Sequence, residues 1–136
     1  GYDTVEYASL QDALDAYGFS DVPLAPTWGP DGYELTKVEV YYDSASLLDF
    51  CAYYMKSELP LTVNVALWED SSLSYIYSKD ESSVATYESN GIIHYIMSNN
   101  DSNIGAWQNG SFECSIMGDI SQEEIQEMID SIYGGQ

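Results

Sequence analysis

Val84-Ala85-Thr86-Tyr87-Glu88-Ser89-Asn90-Gly91-Ile92-Ile93-His94-Tyr95-Ile96-Met97 is the stretch on which the fold turns. Asn-Gly suits a two-residue type I′ turn, whose positive φ angles match the twist of two antiparallel strands. Val84–Glu88 and Ile92–Met97 therefore read as a hairpin. A second pair, Asn109-Gly110, separates Ile104–Gln108 from Phe112–Met117. In that last strand Phe112, Cys114 and Ile116 point one way and Ser111, Glu113 and Ser115 the other. One face is dry and the other wet, as in an antiparallel sheet covered on one side.

Working towards the N-terminus, the period of two persists. Leu61, Val63, Val65 and Leu67 alternate with Thr62, Asn64, Ala66 and Trp68, and Val38, Val40 and Tyr42 alternate with Lys37, Glu39 and Tyr41. Residues 47–56 are ambiguous. Leu47, Leu48, Cys51, Tyr54 and Met55 fit a helical stripe, while Phe50, Ala52 and Tyr54 fit a strand. Aromatic density favours a strand over 50–56. Residues 18–32, with Pro23, Pro26, Pro30 and the Asp31-Gly32 turn signal, read as an extended link anchored by Phe19, Val22, Leu24 and Trp28. Residues 1–7 read as a loose lead-in.

Both ends of the sheet are flanked by helical patterns. Ser9 precedes Leu10, Ala13, Leu14 and Tyr17 at helical spacing, and Gly18 is a good stop, which gives a helix over 9–17. Ser121 and Glu124 form a capping box ahead of Ile125, Met128, Ile129 and Ile132, which gives a helix over 121–133. The expectation is a single α+β domain over 1–136: an antiparallel sheet of about six or seven strands within 33–117, packed against an N-terminal and a C-terminal helix.

Charge excludes whole classes of function. The chain of 136 residues holds three Lys, no Arg, and 23 Asp and Glu, for a net charge of −20. It cannot neutralise a nucleic-acid backbone or dock on an anionic membrane through a basic patch. It also lacks the cationic clamps of phosphate-handling enzymes. Such charge favours solubility and a monomer. Yet 45% of residues are hydrophobic and 14% aromatic, which sets the chain apart from acidic disordered sequences. No stretch of 18 apolar residues exists to span a membrane. The acidic start, Gly1-Tyr2-Asp3, does not read as a signal peptide. An anchor or signal is expected upstream.

No reactive constellation stands out. His94, the one histidine, shares its side of the strand with Ile92 and Ile96, and reads as an ordinary, partly buried histidine rather than a general base or metal ligand. Asn99-Asn100-Asp101-Ser102-Asn103 looks like a calcium loop until positions six and twelve are counted, where Ile104 and Gly110 replace the required Gly and Glu. It and the acidic stretch 69–72 read as solvated connections. Glu123, Glu124 and Glu127 read as the wet face of the last helix, whereas Asp70 with Asp80 or Glu81 could face one another only in three dimensions. Cys51 and Cys114 are either two buried thiols or one bridge across a long loop. No cofactor, catalytic residue or metal site is expected. The aromatic surplus points elsewhere: Tyr41, Tyr53 and Tyr87 are expected on the face opposite the core, and with Trp107 they are candidates for contact with a protein, peptide or glycan.

Val84 to Tyr95, then Ala106-Trp107-Gln108-Asn109-Gly110, Phe112-Glu113-Cys114-Ser115-Ile116 and Ile120-Ser121-Gln122-Glu123-Glu124-Ile125 together resemble a bacterial domain of unknown function, the family numbered four-three-six-seven. Pro26 and Asp31-Gly32-Tyr33 are similar to that family's proline-glycine-tyrosine approach to its first strand, so the resemblance covers roughly 17–133. Ile125 stands where the family usually has Leu, and the tyrosine-rich 41–54 region departs from it. The resemblance implies an extracytoplasmic domain at the cell surface of gram-positive bacteria, tethered by a transmembrane helix outside this sequence. Some members sit in proteins resembling anti-sigma factors. It defines no catalytic residues. The leading expectation is a non-enzymatic sensor or binding domain. The alternatives are a carrier holding an apolar ligand between sheet and helices, and a glycan hydrolase using paired carboxylates.

Overall fold

The computed structural model describes residues 5–41, 48–68 and 84–134. Along the chain run β1 (Val5–Tyr7), α1 (Leu10–Ala16), β2 (Glu34–Tyr41), β3 (Leu48–Lys56), β4 (Leu59–Leu67), β5 (Val84–Ser89), β6 (Ile92–Asn99), β7 (Ser102–Asn109), β8 (Phe112–Gly118) and α2 (Gln122–Ile132). The strands form one antiparallel sheet in the order β1-β2-β3-β4-β8-β7-β6-β5. The α+β class with one large antiparallel sheet and two helices is as expected, but α1 follows a first strand instead of preceding the sheet, and eight strands are present among the described residues rather than six or seven. The addition is β1, in what reads as a loose lead-in. Val5 and Tyr7 pair with Val40 and Val38 on the edge of β2. Three residues are too few to display a period, so only the tertiary partner makes this strand.

The ambiguous segment is strand throughout, Leu48–Lys56. Phe50 and Ala52 are buried on one face, while Cys51 and Tyr53 pair with Asn64 and Thr62 on the other. The helices are shorter than their patterns by a residue at each end, because the end residues are caps. Ser9 Oγ accepts from the Asp12 N–H at 3.0 Å, and Tyr17 closes α1. Ser121 and Glu124 exchange the two bonds of a capping box, at 3.0 and 2.9 Å, and Tyr133 closes α2.

Turn geometry differs between the two Asn-Gly pairs. Asn90 and Gly91 both have positive φ, 54° and 76°, as a type I′ turn requires. Asn109, however, pairs with Phe112, so the second turn is Gly110-Ser111 and not Asn109-Gly110. Gly110 alone has positive φ there, 61°, in the first central position, where a type II′ turn places glycine. The 99–103 segment is likewise tighter than a solvated loop. Asn99 pairs with Ser102, leaving Asn100-Asp101 as the turn, and Asn103 Nδ2 donates to the Ile120 carbonyl at 2.7 Å. The acidic stretch 69–72 lies outside the described residues.

Both helices and the link between α1 and β2 cover the same face of the sheet. Leu10, Ala13 and Leu14 of α1 are buried, and α1 lies against β1–β3. Ile125, Met128, Ile129 and Ile132 of α2 are buried, and α2 lies against β5 and β7. At ~1.5–3 kcal/mol per large side chain these four contribute on the order of 6–12 kcal/mol gross. Between the helices Phe19 sets its ring edge-on to Phe112 and Phe50, at 5.0 and 6.1 Å, and Leu24 is buried. The link is tied to α2 through Ser131, whose Oγ accepts from the N–H groups of Thr27 and Trp28 at 2.9 and 3.2 Å. Trp28, expected as an apolar anchor, thus anchors through its backbone, and the residue is 39% exposed. Among the described residues no helix is long and apolar enough to cross a membrane.

Candidate functional site: the uncovered face of the sheet

Strand register defines the second face. One row across the sheet is Glu6, Glu39, Cys51, Asn64, Ser115, Ala106 and Tyr95, and a second is Lys37, Tyr53, Thr62, Met117, Ile104 and Met97. Among the described residues none of these side chains meets a helix, and it is in that sense that this face is uncovered. Over β2–β4 the face is polar and closely bonded. Lys37 Nζ lies 3.1 Å from Glu39 Oε2 and 5.4 Å from the Tyr53 ring centre. The Tyr41 hydroxyl donates to Glu39 Oε1, and its oxygen is 2.8 Å from that of Tyr53. Asn64 Nδ2 donates to Asp49 Oδ1 at 2.6 Å and to Cys51 Sγ at 2.8 Å.

This bonding sets the protonation states. The hydrogen bond from Tyr41, helped by Lys37, holds the Glu39 carboxyl below its usual range despite a residue exposure of only 8%. Burial and the Glu39 carboxylate together push the Tyr41 hydroxyl far up. Burial also raises the Cys51 thiol, so it is not poised as a nucleophile. Over β8, β7 and β6 the face is recessed, and Ala106 is only 3% exposed. Small side chains, Ser115 and Ala106, sit in the middle of the row, and longer neighbours stand beside them. The result is a trough of about 270 Å³ lined by Asn64, Met97, Ile104, Ala106, Glu113, Cys114 and Ser115. It lies on the side of the sheet away from the helices, so it is not the cavity that the apolar-carrier alternative requires.

The aromatic candidates divide. Tyr41 and Tyr53 lie together on the uncovered face, as expected. Tyr87 does not: it pairs with His94 on the covered face, and its hydroxyl donates to Asp130 Oδ2 of α2 at 2.6 Å. That carboxylate raises the Tyr87 hydroxyl to about 12. Trp107 is wholly buried beneath α2 and lies 4.9 Å from the His94 ring. A two-residue turn at 90–91 already pairs position 87 with 94, and either reading of the second turn sets Trp107 opposite Phe112 or Cys114. Both placements were therefore present in the register. What the sequence hides is the trough, because it is made by Ala and Ser, which carry no chemical signal.

His94 is buried on the covered face, more completely than expected. It is 0% exposed, with Nδ1 3.2 Å from the Tyr87 carbonyl and Nε2 2.8 Å from the Tyr133 hydroxyl. A carbonyl only accepts, so Nδ1 carries the proton and Nε2 accepts from Tyr133. Burial holds its pKa below the usual value, which keeps it neutral. Cys51 and Cys114 are both free. They sit on opposite faces of β3 and β8 with β4 between them, which excludes the bridge. Among the described residues no three His, Cys, Asp or Glu side chains gather as a metal site. Asp70, Asp80 and Glu81 lie outside the described residues.

No curated protein and no solved structure matches the chain. Residues 23–132 match the profile of the domain of unknown function DUF4367, from the proline-rich link to the last residue of α2. The chain belongs to the DUF4367 family.

Proposed function

We propose that this chain is a non-enzymatic sensor or binding domain, displayed outside the membrane by an anchored bacterial protein, that meets its ligand on the uncovered face of the sheet. The observation that carries the reading is the trough of about 270 Å³ at the centre of that face. It sits beside a bonded polar array that fixes its surroundings. A site built across four adjacent, paired strands is preorganised, which lowers the cost of binding. The single histidine is committed to holding α2, and both thiols are kept protonated, which supports binding over catalysis. The placement outside the membrane rests on the context of family members and suits a charge of −20.

A screen of neutral small-molecule fragments against the ¹⁵N-labelled chain tests the binding face. Hits are expected to shift the amides of Ile104, Ala106 and Ser115 before others. Hits that gather elsewhere, or none at all, would overturn the reading.

A further inference from the structure

We propose that the trough takes a basic peptide segment with interleaved apolar side chains, contributed by a partner protein; this rests on the binding-face reading above. The argument begins with charge. Among the described residues Glu6, Glu39, Asp49, Glu88 and Glu113 share the uncovered face with one cation, Lys37, which is already held by Glu39 at 3.1 Å. Lys56 reaches the other way, its Nζ 5.9 Å from the Tyr33 ring centre. The whole chain carries −20, so an anionic segment meets repulsion before contact and a cationic one is steered in.

Apolar contact supplies the second requirement. Met97 and Ile104 form a wall of the trough, Met117 follows Ile104 in the same row, and Ile93 lies on the same face. Met117 is 47% exposed and Ile93 43%. Such side chains give nothing to a free polyamine but do bury the aliphatic residues of a peptide. Methionine in particular adapts to varied partners. Glu113 on the trough lining, with Asp49 one strand beyond across β4 and already accepting from Asn64, adds to the negative potential that the cationic heads of that peptide would meet.

The test is an NMR titration of the ¹⁵N-labelled chain in moderate salt. Three probes are used: the peptide Lys-Leu-Lys-Leu-Lys-Leu, its Glu-Leu counterpart, and spermidine. The Lys-Leu peptide is expected to shift the amides of Ile104, Ala106 and Ser115, and to bind at least about fivefold more tightly than either control. Ala106→Leu, which fills the trough, and Met117→Lys, an exposed change that does not disturb packing, are each expected to weaken the peptide at least about fivefold. A Kd unchanged by Met117→Lys in a folded variant overturns the proposal, because binding is then general attraction to an acidic surface. Equal binding of spermidine overturns it too, since the apolar wall then adds nothing. If neutral fragments enter the trough and the Lys-Leu peptide does not, the inference fails while the binding-face reading stands.

Discussion

His94 is wholly buried between a carbonyl and a hydroxyl, so the charge it would gain on protonation is poorly solvated. Its folded pKa is depressed by burial, whereas the unfolded chain titrates near the ordinary value of about 6.5. Below that pH the unfolded state binds a proton that the folded state resists, so this contribution to stability is present at neutral pH and is lost as pH falls. Stability measured by urea between pH 7.5 and 5.5 should therefore fall more steeply for the native chain than for His94→Gln, the carboxylates being common to both. Parallel curves would contradict the assignment. The direction of His94 was legible from its alternation with Ile92 and Ile96. Its partner was not, because Tyr133 lies 39 residues away and no local pattern joins them. The same limit hid the Tyr87–Asp130 bond, although the register of the hairpin did place Tyr87 on the covered side.

At the scale of elements, α2 holds its half of the sheet by an apolar stripe and a close approach. Ile129 is wholly buried in that stripe. Ile129→Asp buries an unpaired charge and should destabilise the chain by at least about 3 kcal/mol, or unfold it, as read by thermal melting. A variant that melts like the parent would refute the docking. Gly105 governs the approach: a Cβ there would stand 2.8 Å from Ile125 Cγ2. Gly105→Ala should cost about 1–3 kcal/mol in urea unfolding through overpacking. A neutral result would mean that α2 rides further from β7. The capping box and the 3.6 period made α2 readable from residues alone, since both are local. The need for glycine at 105 was not, because it arises from a side chain on another element. β1 was missed for a like reason: three residues carry no period, and the edge of β2 selects them.

For the whole molecule, charge and one-sided burial are the governing facts. Twenty net negative charges repel one another more closely in the folded state, and salt screens that repulsion over about 10 Å at 0.1 M. The melting temperature should rise from low salt to 0.2 M NaCl, and a fall would show that attractive pairs dominate. Composition alone made this much legible, along with the exclusion of nucleic acid. Most of the sheet and both helices were legible because turns and periods are local signals. The trough was not, because its shape depends on which small side chains meet across β8 and β7. The functional reading depends on the sheet being closed on one side and open on the other. Native-state thiol labelling in a Cys51→Ser, Cys114→Ser background measures this directly, at neighbouring positions of one strand. Met117→Cys should react at close to the rate of an unstructured cysteine, while Ile116→Cys, beneath the helices, should be slower by ~10³-fold or more, as a site opened only by unfolding. Comparable rates at the two positions, or a protected Met117→Cys, would contradict the account.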